Sequence, residues 1–368
     1  MRKAFLVPVA LAALAVGCKQ PGPPLEKGEG KGESVSASKA SSGDSIDLQG
    51  AGATFPYPLY SKWVAEYQRI DPRVRINYQS IGSGGGIRQI VEQTVDFGAS
   101  DAAMTDGELA KAPGKLLHVP MTLGAVVVAY NLQGVQGLKV TPEIVAGIFL
   151  GEIKTWNDPR IAEANPGVAL PNLPITVAHR TDGSGTTAVF TEYLAKVSPQ
   201  WKEKVGAGKS VKFPSGLGAK GNEGVTGQVK TTPGSIGYLE LAYAKQTGLS
   251  YAAIKNRAGK FTEPSLEGIT AAAASVAATM PADLRVSIVD APGEAAYPVS
   301  AFTYILVYQD QVDAVKGKAL AQFLWWAVHD GQQSGPPLHY APLPPPVVNA
   351  VEGKLRGLRA AGQPLLKG

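Results

Sequence analysis

Arg180-Thr181-Asp182-Gly183-Ser184-Gly185-Thr186-Thr187 is the stretch that decides the fold. Before it, Ile175 to Ala178 is an apolar run that predicts a strand. After it, Ala188, Val189, Phe190, Tyr193 and Leu194 recur at helical spacing. The octapeptide is therefore a strand-to-helix turn. Gly183 and Gly185 let backbone come close to a ligand, and Ser184, Thr186 and the unpaired N–H groups of the first helical turn converge on one small volume. A helix start of this kind attracts anions, and Arg180 adds a planar fork of donors, steadied by Asp182. The same residues also suit an ordinary capped helix whose arginine makes a surface ion pair. The rest of the chain decides between these readings.

Two further turns share the pattern. Gly50-Ala51-Gly52-Ala53-Thr54-Phe55-Pro56 follows a strand beginning at Ile46 and precedes Tyr60, Trp63, Val64 and Tyr67 at helical spacing, with Pro56 or Pro58 suited to the first turn. Ile81-Gly82-Ser83-Gly84-Gly85-Gly86 follows a strand over Arg75 to Gln79 and precedes Ile87, Ile90, Val91 and Val95. Phe97 to Asp101 is a short strand ending in a polar pair, Ser100 and Asp101. Repeated strand, glycine-rich turn and helix predict an α/β protein with mostly parallel sheets flanked by helices. Ligands of such sheets gather at the carboxyl ends of strands. Three hydroxyl-bearing helix starts, one arginine and one acid converging there predict an anion site. Two long apolar runs, Gly124 to Tyr130 and Ala301 to Tyr308, read as buried strands carrying the chain into and out of a second, inserted domain.

At 368 residues the chain is long enough for two domains. Its formal net charge is +5, but no dense Lys/Arg run with interleaved aromatics occurs, so no nucleic-acid partner is expected. Arg2 and Lys3 precede an apolar stretch from Ala4 to Val16, too short to span a bilayer, and the sole cysteine, Cys18, follows Gly17. Residues 1–18 read as a lipoprotein signal peptide with Cys18 as the lipidation site; the alternative is a plain signal peptide with a leftover thiol. The usual Leu three positions before the cysteine is Ala15 here. Residues 19–46, rich in Pro, Gly, Ser, Lys and Glu, read as a flexible linker.

Several motifs fail. Gly206-Ala207-Gly208-Lys209-Ser210 lacks the first glycine of a Walker A loop, since position 203 is Glu203. Ser184 has Asp182, not glycine, two residues before it, so there is no nucleophile elbow. His118, His179, His329 and His339 show no zinc spacing. No metal, cofactor or catalytic residue is expected; His179 beside Arg180 reads as a strand-end side chain, the alternative being a catalytic base.

The segments GAGATFPYPLYSKW (50–63), YQSIGSGGG (78–86), TVDFGASDA (94–102), HRTDGSGTTAVFTEYLAK (179–196) and PGSIGYLELAYAKQ (233–246) resemble the PstS family, the phosphate-binding proteins of bacterial high-affinity phosphate ABC transporters. The resemblance runs from about Ile46 to the carboxyl terminus and is loose between about Ser250 and Ala296. It implies a two-domain periplasmic-binding-protein fold of type II that closes over one phosphate, with 47–128 and 300–368 forming domain I and 129–299 forming domain II. It implies a phosphate ligand set of Ala53, Thr54 and Phe55 from the first loop and Ser83 from the second. Asp101 comes from the strand end, and Arg180, Ser184, Gly185 and Thr186 from the third loop, with Asp182 holding the arginine. The family often has a second serine where this chain has Gly84, and a backbone N–H is expected to serve in its place. The implied role is extracytoplasmic capture of inorganic phosphate by a monomer, anchored through Cys18 at the periplasmic or cell surface. Its partners would be the permease and ATPase subunits of an ABC importer. The alternatives are binding of another tetrahedral oxyanion such as sulfate or molybdate, a secreted phosphate-ester hydrolase, or a phosphate sensor or adhesin without a transporter.

Overall fold

The computed structural model describes residues 45–277 and 279–366. The expected signal peptide, Cys18 and almost all of the expected linker lie outside the described residues.

One nine-stranded sheet organises the chain. Its strands are β1 (Ile46–Gly52), β2 (Val74–Ser80), β3 (Phe97–Ser100), β4 (Leu116–Tyr130), β5 (Thr176–Arg180), β6 (Leu217–Ala219), β7 (Ser235–Glu240), β8 (Ser250–Tyr251) and β9 (Ser300–Tyr308). The order across the sheet is β2-β1-β3-β9-β4-β7-β5-β6, with β8 also on β4. β4 is the joint. From Leu116 to Ala125 it pairs antiparallel with β9, and from Val126 to Tyr130 antiparallel with β7. All of its fifteen residues are buried. A strand covered on both faces reads as an unbroken apolar run, which is why hydropathy marks the strand but not the point where it changes partners. That point falls between Ala125 and Val126, near the return of the chain at Val299, whose carbonyl accepts from the Val126 N–H at 2.8 Å.

On each side of the joint three strands run parallel: β2, β1 and β3 on one, β7, β5 and β6 on the other. The joining strands β4 and β9 are antiparallel to their neighbours. Each parallel strand that ends in a glycine-rich turn feeds a helix: β1 leads to α1 (Tyr57–Ile70), β2 to α2 (Ser83–Val91), β5 to α3 (Gly185–Val197) and β6 to α4 (Gly221–Thr231). The α1 start carries proline in its first turn, where a missing N–H leaves no bond unmade. Gly82, just before α2, has φ +87°, a backbone open to glycine at little cost. Ser184 caps α3, its Oγ accepting from the Thr187 N–H at 2.9 Å.

Four helix starts thus lie at the strand ends, two from each side of the joint. Aromatic packing holds the helices to the sheet: Trp63 of α1 is fully buried and donates its indole N–H to the Gly331 carbonyl, while Phe190 of α3 stacks on Tyr238 of β7 at 4.5 Å.

Candidate anion-binding site

The turns preceding α1 and α2 meet those preceding α3 and α4 directly. The Gly185 N–H donates to Ser83 Oγ at 3.0 Å, and the Gly84 N–H donates to the Gly183 carbonyl at 2.8 Å. A Cβ on Gly185 would stand 2.5 Å from both Asp101 Oδ2 and Ser83 Oγ. That position has room for glycine alone, which explains the Ser-Gly-Thr order at the start of α3.

Arg180 ends β5 with its side chain 1% exposed. Its Nε donates to Asp182 Oδ1 at 2.7 Å, its Nη2 to Asp182 Oδ2, and its Nη1 to Thr186 Oγ1 at 3.4 Å. This bidentate fork fixes the guanidinium plane. Asp182 also accepts from the Gly221 N–H at 3.1 Å. Burial alone would raise Asp182, but the hydrogen bonds and charge of Arg180 outweigh it and hold the carboxyl below its ordinary range.

Asp101, at the end of β3, is buried beside these groups. Thr303 Oγ1 donates to its Oδ1 at 2.9 Å, and Ser83 Oγ approaches its Oδ2 at 3.4 Å. Desolvation raises its pKa to about 7 against the pull of Thr303, Arg180 and Ser83. The site therefore holds one fixed cation, one acid that titrates near neutrality, and a ring of hydroxyl and amide donors.

Thr54 and Phe55 lie at the start of α1, both buried. The N–H groups of Thr54, Phe55, Ser83 and Thr186 have no protein acceptor among the described residues. Unpaired N–H groups at three converging helix starts are what an oxyanion requires. Several expected donors are otherwise engaged, among them the Gly185 N–H, given to Ser83 Oγ. The Ala53 N–H goes to the Ala99 carbonyl at 3.0 Å, so Ala53 supports the loop. The Gly84 N–H, expected to stand in for a second serine, is taken by Gly183. Ser184 contributes its cap to α3, and its own N–H goes to the Lys209 carbonyl.

A family model described as a PBP superfamily domain matches residues 35–330. The phosphate-binding protein PstS of Xylella fastidiosa (strain 9a5c) is 44% identical over 350 residues, covering 94% of this chain and 95% of that protein. The chain belongs to the PstS family of phosphate-binding proteins. PstS of Pasteurella multocida (strain Pm70) is 45% identical over 309 residues, 83% of this chain and 89% of its own length. The solved phosphate-binding protein of Stenotrophomonas maltophilia shares the fold, with a TM-score of 0.67 at 21% identity, over 84% of this chain and 94% of that one.

As a PstS-family chain this is a binding protein, not an enzyme. The geometry agrees: Ser184 Oγ is committed to its cap, and His179 stacks on Phe213 at 4.6 Å with Nδ1 against the Arg180 carbonyl. Among the described residues no cluster of His, Cys, Asp and Glu is placed to hold a metal ion, and no helix is long and apolar enough to cross a membrane.

Sequence reasoning missed Asn222 and Thr303. Asn222 begins α4 after Gly221, a fourth glycine-rich turn following a strand of only three residues. That strand is too short to announce itself by alternation. Thr303 is the one hydroxyl side chain within AFTYILVY apart from its tyrosines, and its pairing with Asp101 across 202 positions has no local signal.

Proposed function

We propose that this chain captures inorganic phosphate outside the cytoplasm and hands it to the permease and ATPase of an ABC-type importer. The observation that carries this reading is Asp101: a buried carboxylate among anion-binding donors serves a ligand that brings its own proton. Phosphate near neutral pH has an O–H to donate, and sulfate and molybdate do not. The PstS relatives named above carry phosphate binding in their names.

In this reading Thr54, Phe55, Ser83, Arg180 and Thr186 donate to the phosphate oxygens, Gly185 steadies Ser83 through its N–H, and Asp101 accepts the phosphate proton. Asp182, Ser184 and Ala53 hold the donors in place. The two lobes are residues 47–128 with 300–368, and 129–299; they hinge beside Ala125–Val126 and Val299–Ser300 and close over the ligand as a monomer. Ligand contacts from both lobes favour the closed form, which is the form the permease recognises. Cys18, lipidated, tethers the protein to the membrane surface through the 19–46 linker.

Uptake tests the whole assignment. In cells whose own copy is replaced by the Arg180→Ala chain, uptake of labelled phosphate from dilute medium should fall to the level of a deletion. Normal uptake in the deletion itself would contradict the importer role, whereas normal uptake with Arg180→Ala alone would contradict only the part given to Arg180.

A further inference from the structure

Asn222 lies between the two lobes, fully buried, and touches a hydroxyl from each. Its Oδ1 accepts from the Glu240 backbone N–H at 2.9 Å. A backbone N–H only donates, so the amide oxygen must face it and the amide nitrogen must face the other way. There Nδ2 donates to Thr54 Oγ1 at 2.7 Å and to Thr186 Oγ1 at 3.1 Å. Thr54 Oγ1 also accepts from the Asn222 backbone N–H at 3.1 Å. Thr186 Oγ1 also accepts from Arg180 Nη1 at 3.4 Å.

A threonine hydroxyl has two acceptor positions and one proton. At Thr54 both acceptor positions are filled by Asn222, and at Thr186 by Asn222 and Arg180. Each hydroxyl is left with only its proton to offer. A free hydroxyl rotates between donor and acceptor roles, and an oxyanion then has to reorient it on binding. Here the reorientation is done in advance.

We propose that Asn222 is a positioning residue that fixes the Thr54 and Thr186 hydroxyls as donors to the bound oxyanion. This rests on the phosphate-capture reading and adds a residue that acts through others. The chain of constraint starts at the strand β7: the Glu240 N–H sets the Asn222 amide, and the amide sets both hydroxyls. The resulting site is donor-only except at Asp101, so the ligand is required to be an acceptor everywhere but at one oxygen.

The test is a pair of double-mutant cycles on binding of inorganic phosphate to the full chain, crossing Asn222→Ala with Thr186→Val and with Thr54→Val. Thr186 and Asn222 lie on the same side of the joint, so coupling between them does not report on a clamp between lobes. Each single substitution should weaken binding about 10-fold. The Asn222→Ala, Thr186→Val double variant should be less than about 10-fold weaker than Thr186→Val alone, because one of the two protons that Asn222 orients is already gone. A double variant about 100-fold weaker than wild type would show independent effects and overturn the proposal. Coupling to Thr54→Val with none to Thr186→Val would also overturn it, leaving Asn222 a clamp only. If Asn222→Ala does not fold, Asn222→Ser is put through the same cycle and judged by the same outcomes. Wild-type protein that binds no phosphate would refute the capture reading itself, whereas wild-type binding with an additive cycle would refute only the role of Asn222.

Discussion

The Gly84 N–H donates to the Gly183 carbonyl across the cleft at 2.8 Å, and a Cβ on Gly84 would stand 3.0 Å from Gly183 Cα. A Cβ on Gly183 would stand 3.1 Å from Gly84 Cα. The two backbones touch because neither carries a side chain. In the proposed closing motion this contact acts beside the ligand. Gly84→Val should weaken phosphate binding about 10-fold by holding the turns apart, while the melting temperature in phosphate-free buffer stays near wild type. Calorimetry and a thermal melt check both; unchanged affinity would remove the contact from the closing step.

Arg180 is the one fixed positive charge among the residues assembled at the site. Arg180→Ala removes it but leaves the neutral donors of Thr54, Ser83 and Thr186. A hydrogen bond to a charged group is worth about 1.5–3 kcal/mol, so affinity should fall by about 10- to 150-fold with the fold intact. Asp182→Ala should act differently. It leaves a buried guanidinium without its partner, so the melting temperature should drop as well as the affinity. Equal affinity in Arg180→Ala and wild type, by titration, would place the arginine outside the site.

Burial raises Asp101 from 3.8 to about 7, and the sign of the linkage follows. The folded, ligand-free protein favours the protonated acid, so the stabilisation is complete below pH 3.8 and is lost as pH rises through about 7. Melts in phosphate-free buffer should fall between about pH 4 and about pH 7, and Asp101→Asn should flatten that fall. The same group governs selectivity. Below about pH 7 a protonated Asp101 no longer repels sulfate, so the preference for phosphate should narrow on acidification. Asp101→Asn should show the narrow preference at every pH. A wild-type ratio that does not move with pH would exclude Asp101 from ligand contact.

Much of this site was legible locally. The turns around Thr54, Ser83 and Ser184–Thr186 are each a glycine cluster between an apolar strand and a periodic helix, and each sits at a helix start in the fold. Their convergence followed from the general rule that parallel strands present ligand sites at their carboxyl ends. What stayed hidden depends on distant partners. The Gly84 N–H looked free because its acceptor, Gly183, is 99 positions away (183 minus 84). Asn222 orients Thr54 across 168 positions, and Thr303 meets Asp101 across 202. The partner change within β4 was hidden for another reason: burial on both faces makes the whole strand apolar.

The tether proposed at Cys18 makes a separate prediction. Cys18→Ser should release the protein from the membrane fraction while leaving phosphate affinity unchanged, because the assembled site draws on no residue before Ala53. Mass spectrometry of the wild-type amino terminus checks it, and an unmodified terminus cut elsewhere would leave the protein untethered.

The most direct test of the account is a calorimetric titration of phosphate, and separately of sulfate, into protein stripped of ligand, at pH 8 and fixed salt. The account predicts one phosphate bound per chain and a preference over sulfate of about 10⁴-fold or more, since a site built around a ligand O–H rejects the analogue that lacks it. Sulfate binding as tight as phosphate, or no heat with phosphate, would contradict it.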